Sequence, residues 1–227
     1  MGPNGMGKST LLAVAVGVEA PFKGHVKING LTRRSTVEDE QRIREKTVYL
    51  PAAPWLPSGL TGEDFLYAVG RVYDVAEERL IEHISRLLKL FDLESHGSRS
   101  MSQYSSGQTK KIALCSALVT DAPVMILDEP FSGGLDSSAL MAMKQLLADL
   151  VHKRNVTMLI AEPVPELVEA ISDRIVVLFE GRIVADASPA ALREMTHTTG
   201  TLEQSLEKLV RPDEVDNVRE YLQGDAT

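Results

Sequence analysis

The sequence predicts an α/β fold, a mainly parallel sheet flanked by helices, from three observations. Short β-rich runs alternate with helical stripes. A glycine-rich loop opens directly into a helix. A buried-looking run, VMIL, ends in Asp128-Glu129.

Each element follows in order. MGPNGMGKST holds the loop, and STLLAVAVGV continues as the helix rooted in its glycines. HVKI, followed by Asn29-Gly30, reads as a short strand ending in a turn. TVYL (residues 47–50) is a strand stopped by Pro51, and PAAPWLP is an irregular, partly apolar loop around Trp55. Across residues 61–91 the pattern is helical, with Leu80, Ile81, Ile84, Leu87, Leu88 and Phe91 on one stripe. A second amphipathic helix begins near Ser106 and leads into VMIL (residues 124–127), short and apolar enough for a buried parallel strand. Residues 137–153 are helical again, with Leu140, Met143, Leu147, Leu150 and Val151 as the inner face. VTMLI and RIVVLF are β-rich runs separated by a short helix, and Glu180-Gly181 turns the second back into RIVA. One domain is expected over residues 1–210, with a helical subdomain at about 61–120 and a loosely packed polar tail at 211–227.

Lys and Arg total 24 against 32 Asp and Glu, a net charge of −8, which opposes a general nucleic-acid binder. The basic run Arg33, Arg34, Arg42, Arg44 and Lys46 is interleaved with Glu38, Asp39, Glu40 and Glu45, and reads as solvated surface. Cys115 is the only cysteine, so an intrachain disulfide is excluded and a reducing compartment fits. Its setting, IALCSALV, reads as a buried helix face. No run of about 18 apolar residues is present to span a bilayer, and the start lacks the basic-then-apolar pattern of a secretion signal. A cytosolic type of protein is expected.

GPNGMGKS matches the phosphate-loop pattern G-x-x-x-x-G-K-[ST] through Gly2, Gly7, Lys8 and Ser9. The glycines let the backbone curl until successive N–H groups point at β- and γ-phosphates, and the helix that follows adds its dipole. Candidate nucleotide-binding residues are therefore Gly2, Pro3, Asn4, Gly5, Met6, Gly7, Lys8, Ser9 and Thr10. Lys8 supplies a cation, and the Ser9 hydroxyl can ligate Mg²⁺. A chance match in a chain this long is roughly a one-in-a-hundred event. Asp128 stands at the carboxyl end of a strand, where α/β sheets hold ligands, placed to serve the Mg²⁺ shell. Glu129 can accept a proton from an attacking water. Glu129 and Lys8 are the candidate catalytic residues.

Between these sites lies YSSGQTKKIALCSALVTDAPVMILDEPFSGGLD, which resembles the ATP-binding cassette (ABC) family. That family's signature is LSGGQ, followed by a helix, a Walker B strand and a D-loop. Ser105, Gly107 and Gln108 stand at their family positions, Tyr104 replaces Leu, and Ser106 replaces the first Gly. GGLD, ending at Asp136, matches the D-loop. The likeness extends to the DRI…EGRIV hairpin and to TLEQSLEKLV, a helix similar to the end of cassettes serving ABC-2-type exporters. The resemblance implies a RecA-like P-loop NTPase core and a head-to-tail dimer, with ATP between the phosphate loop of one subunit and Ser105, Ser106, Gly107, Gln108 and Asp136 of the other. The second cassette would be identical or a relative. Ser105 and the amides near Gly107 open a helix, so they suit a γ-phosphate; read alone, the same stretch is an ordinary N-capping turn.

Three features depart from the family. The loop opens the chain, without the strand and adenine-stacking aromatic that precede it in relatives, so the loop is expected to lack its anchoring element and the sequence to be a truncated or late-started version of a longer one. Ala52, in YLPAAPW, takes the place of the Q-loop glutamine. Pro163 falls where the switch histidine belongs, ten residues before Asp173. Binding of Mg·ATP rests on retained groups, whereas losing one polar contact that orients the lytic water typically costs about two to three powers of ten in rate. Slow hydrolysis is expected.

The family places the coupling helix of a transmembrane subunit at PAAPWLPSGL. Trp55, Leu56 and Leu60 either form an apolar docking surface, or Trp55 fills the gap between the helical subdomain and the sheet. The resemblance therefore implies an ATPase subunit, peripheral on the inner membrane face, driving a separate permease of the exporter kind. The alternative is a degenerate regulatory cassette that clamps ATP beside an active partner. A cassette of the translation or DNA-repair kind fits poorly, because neither a second cassette nor a long coiled coil is present.

Overall fold

The computed structural model describes residues 1–210; the tail expected at 211–227 lies outside the described residues. The chain divides into two units, Ser9–Ala161 and Met1–Lys8 with Glu162–Thr227.

The first unit carries a three-stranded sheet in the order β3-β4-β5, formed by Thr47–Leu50, Val124–Asp128 and Thr157–Ala161. All its pairings are parallel, with Leu50 opposite Leu127 and Asp128 opposite Ala161. Helix α1 (Lys8–Val16) covers one face: Leu12, Ile126 and Ala161 form a buried cluster joined by Ala15, Val16, Tyr49 and Val124. Lys27–Ile28 (β1) and Leu31–Thr32 (β2) make a small antiparallel hairpin, the Asn29-Gly30 turn expected from sequence.

Helix α2 (Val37–Glu45) occupies the charge-rich stretch read as solvated surface. Thr36 caps it, and Glu38, Asp39 and Glu40 fill its first turn, where the dipole favours acids. Arg33 corrects that reading. It is only 7% exposed, donating Nε to the Ala15 carbonyl at 2.7 Å and pairing with Glu40 at 2.7 Å.

The helical run at 61–91 is two helices, α3 (Gly62–Val72) and α4 (Glu77–Leu90), broken where Asp74 takes φ 55°. They pack where Gly70 faces Leu80; a Cβ there would sit 2.3 Å from Leu80 Cδ1. Ile81 leaves the predicted stripe and is 58% exposed. Helix α5 (Ser106–Leu118) buries Ile112, Leu114 and Cys115, as the apolar setting of that cysteine predicts, and burial pushes the thiol pKa upward. Helix α6 (Ser137–Arg154) buries Ala139, Met143 and Leu147.

In the second unit, α7 (Pro165–Ile171), the antiparallel hairpin β6–β7 (Ile175–Phe179 and Arg182–Ala187), α8 (Pro189–Met195) and α9 (Leu202–Val210) enclose a core of Val168, Ile175, Val177, Leu192 and Leu202. Among the described residues no helix is long and apolar enough to cross a membrane.

Candidate nucleotide-binding site

The loop begins with Met1. The backbone of Met1 pairs with β6 as a parallel strand residue would. Its amino group donates to the Val176 carbonyl at 2.7 Å, and its carbonyl accepts from the Leu178 N–H at 2.9 Å. The expectation of a loop without an anchor is corrected by these two bonds. Gly2 takes φ 141°, and a Cβ built on it would lie 2.1 Å from the Leu178 carbonyl oxygen. Only glycine can pass the strand at that distance. Gly5 and Gly7 also take positive φ, 81° and 91°. Lys8 Nζ donates to the carbonyls of Gly2 at 2.8 Å and Pro3 at 2.9 Å, closing the loop into a ring with Asn4 and Gly5 exposed at its crown. Met6 Sδ accepts from the Glu180 N–H at 3.3 Å in the β6–β7 turn.

Ser9 and Thr10 are exposed in the first turn of α1. Leu12, one turn on, packs against Ala161 at the end of β5, so this turn lies at the carboxyl edge of the parallel sheet. Side chains alternate along a strand, which puts Val124, Ile126 and Asp128 on the α1 face. Asp128 is 2% exposed, and its Oδ1 has no hydrogen-bond partner. Burial, followed by the charge of Asp128, pushes the neighbouring Tyr49 phenol above its ordinary value. A carboxylate buried in this way calls for a cation. Among the described residues no group of three or more His, Cys, Asp or Glu is placed to hold a metal. An ion of the Mg²⁺ kind takes one or two protein oxygens and completes its shell from phosphate and water. Asp128 and the Ser9 hydroxyl are the residues that fit it.

Glu129 has φ 48°, a left-handed conformation that costs a non-glycine residue about 1–3 kcal/mol and persists only where its surroundings over-determine it. They do so here. Its N–H donates to the Ala161 carbonyl at 2.7 Å. Its own carbonyl accepts from Lys110 Nζ at 2.8 Å and from the Ser132 hydroxyl at 2.9 Å.

A second cluster forms at the start of α5. The Ser105 hydroxyl accepts from the Gln108 N–H, and the Gln108 side chain accepts from the Ser105 N–H, a complete capping box. The N-capping turn is therefore real, and Gln108 is committed to it. It does not exhaust Ser105, whose exposed hydroxyl keeps its own proton for an anion alongside the free-ended amides of the first turn. Gly107 lies against Gly134, so close that a Cβ on Gly107 would be 2.8 Å from the Gly134 carbonyl oxygen. Asp136 caps α6 through the Ala139 N–H at 2.8 Å and pairs with Lys111 at 2.8 Å. The hydrogen bond from Lys111, followed by that from Ala139, lowers its carboxyl pKa to about 2.

The structure thus gathers Ser9, Thr10, Asp128 and Glu129 at one sheet edge, and Ser105–Gln108 with Asp136 at one helix start. Lys110, Lys111 and Gly134 escaped sequence reasoning. The available signal was a lysine at 110 on the stripe shared with Ala113, Leu114 and Ala117, which are all buried. Ala52 is exposed, and Pro163 stands two residues before the start of α7. Trp55 is 84% exposed, which excludes the gap-filling role. A groove of about 910 Å³ between α2 and the end of α3 is flanked by Val37 and Val72, 79% and 78% exposed. A further cavity of about 570 Å³, lined by Arg79, His83, Asp121 and Val156, lies at the amino edge of the parallel sheet, away from Asp128.

The family described as ABC transporter matches residues 1–132. The chain is 31% identical over 194 residues to the Nod factor export ATP-binding protein I of Paraburkholderia xenovorans, covering 85% of this chain and 62% of that protein. It is 28% identical over 198 residues to the Fe(3+) ions import ATP-binding protein FbpC of Mannheimia succiniciproducens, covering 87% and 55%. The chain thus spans less than two thirds of these relatives. A solved ATP binding subunit of an ABC transporter shares its fold at a TM-score of 0.84 and 27% identity, covering 92% of this chain and 85% of that one.

Proposed function

The chain belongs to the ABC transporter family, and on that premise we propose that it is the ATP-binding subunit of a transporter, binding Mg·ATP and coupling its hydrolysis to a separate membrane permease. The observation that carries this reading is Asp128, a buried carboxylate with a partnerless oxygen on the α1 face, at the sheet edge where Ser9 stands in the first turn of the helix. In this reading the loop amides and Lys8 hold the β- and γ-phosphates, and Asp128 and Ser9 hold the ion. Bound Mg²⁺ would neutralise phosphate charge. Glu129 accepts the proton of the attacking water.

A second cassette, identical or related, supplies the exposed Ser105 hydroxyl and the amides of Ser106 and Gly107 to the γ-phosphate, with Asp136 at the same face. Docking of the permease at Trp55, Leu56 and Leu60, of which Trp55 and Leu60 are exposed, puts the subunit on the inner membrane face. Relatives of similar identity serve export and import; the α9 sequence TLEQSLEKLV favours export. A regulatory cassette that clamps ATP and hydrolyses it slowly is the second reading, favoured by Ala52 and Pro163, which offer no polar side chain to water or γ-phosphate.

Calorimetric titration tests the proposal. Mg·ATP binds the parent, and Lys8→Ala weakens binding by about 1.5–3 kcal/mol, roughly ten- to a hundredfold. Equal affinity of the two proteins, or none in either, overturns it. Turnover alone and beside an active cassette separates the two readings, and transport in vesicles with the permease decides direction.

A further inference from the structure

We propose that Lys110 is a positioning residue for Glu129: from the signature helix α5 it holds the backbone of that glutamate in its left-handed turn, so that the placement of α5 sets the aim of the carboxylate. The inference rests on the reading of Glu129 as the group that accepts the water's proton.

Lys110 is 7% exposed, and its Nζ lies 2.8 Å from the Glu129 carbonyl oxygen. A lysine whose ammonium is drawn inward is uncommon, because the charge must be compensated where it lies. Here it meets the carbonyl of a residue already held in a disfavoured conformation. Glu129 is thus fastened from two directions, through its N–H to β5 at Ala161 and through its carbonyl to α5. With Lys110 removed, that carbonyl is left to the Ser132 hydroxyl and N–H within the same turn, and the peptide is freer to relax towards ordinary φ, the side chain turning with it.

The same helix is tied to the segment after Glu129 twice more. Gly107 and Gly134 leave no space between their backbones, and Lys111 pairs with Asp136. Both ties lie on α5 near Lys110, and Lys110 itself is only about 7–8 Å along the helix axis from Ser105. Displacement of the α5 start is therefore transmitted into the Glu129–Asp136 segment rather than absorbed by slack. In a head-to-tail dimer Ser105 serves one nucleotide and Glu129 the other. Lys110 then connects the two sites within one subunit.

The test compares the full chain with Lys110→Met, which keeps the length but donates nothing, and Lys110→Arg, which still donates. In Lys110→Met the Mg·ATP affinity stays within about twofold. Its kcat falls by roughly ten- to a hundredfold, the loss that a small misplacement of a catalytic group produces. Amide exchange across residues 129–134 quickens by about tenfold or more. Lys110→Arg restores both. Parental kcat and parental exchange in Lys110→Met overturn the proposal. So does a variant that loses nucleotide binding, thermal stability and turnover together, because Lys110 is then only a structural contact. A parental chain indifferent to Mg·ATP defeats the nucleotide reading by itself, and the exchange comparison still decides whether Lys110 holds the segment.

Discussion

Asp128→Asn is expected to stabilise the nucleotide-free protein while removing its ability to be stabilised by Mg·ATP. Asp128 is 2% exposed and its Oδ1 has no hydrogen-bond partner. An ion in that position keeps an effective desolvation penalty of several kcal/mol. An amide of the same shape stays polar and keeps about 1–3 kcal/mol of it. A net gain of about 1–2 kcal/mol in the free protein follows, which for a chain of this size raises Tm by roughly 2–8 °C. Ligand acts in the opposite sense. At a hundred times its Kd, Mg·ATP stabilises the parent by about 2.7 kcal/mol, and a variant without the carboxylate gains little of this. The two proteins should exchange rank. Melting curves in EDTA, in ATP with EDTA, and in Mg·ATP read this directly. A variant that melts below the parent without nucleotide, or keeps the parent's Mg-dependent rise, refutes the view of Asp128 as a carboxylate waiting for a cation.

Three further outcomes are expected. Gly134→Ala forces a side chain onto φ 97° with its Cβ 3.0 Å from Gly107 Cα, and should destabilise by about 1–3 kcal/mol in urea titration; an unchanged midpoint would contradict the close approach of the two loops. Asp136 titrates near 2 because Lys111 donates to it, followed by the Ala139 N–H. Its folded value lies below the unfolded one near 3.9, so the tie contributes above that value and fades as pH falls through about 2. Carboxyl NMR should show the midpoint returning towards the ordinary carboxylate range in Lys111→Met, and an unmoved midpoint would show that the lysine is not its cause. Trp55→Ala, at a site 84% exposed, should change stability by less than about 0.5 kcal/mol yet reduce co-purification with the permease; a large fall in Tm would place Trp55 inside the fold.

Several parts of this molecule are written locally. The phosphate loop is legible because its glycines, its lysine and the following helix are adjacent in the chain, and they have to be adjacent to curl round phosphate. TVYL and VMIL are legible because four residues that are β-forming or apolar, ending in proline or acid, leave few alternatives to a buried strand. Helix α2 was not legible. With Val37 and Ile43 its only aliphatic residues, it offers periodicity almost nothing, and its signal is confined to the Thr36 cap and the acids behind it. The break between α3 and α4 was hidden for the opposite reason: apolar residues continue across it, and only the packing of Gly70 on Leu80 shows where the chain turns.

For the candidate site, residue types and spacing were enough to name the phosphate loop, Asp128, Glu129 and the start of α5, since each is a short run whose chemistry depends on its neighbours in sequence. Burial and strain were beyond that reach. One oxygen of Asp128 is left without a partner, Glu129 is bent into a left-handed turn, Arg33 is inside, and Trp55 is outside, each because of what distant segments place around it. Lys110 reaches Glu129 across nineteen positions of chain, and Gly107 meets Gly134 across a strand and a helix. Such contacts are chosen by how apolar faces close on one another, and no window along the chain contains both sides of that choice.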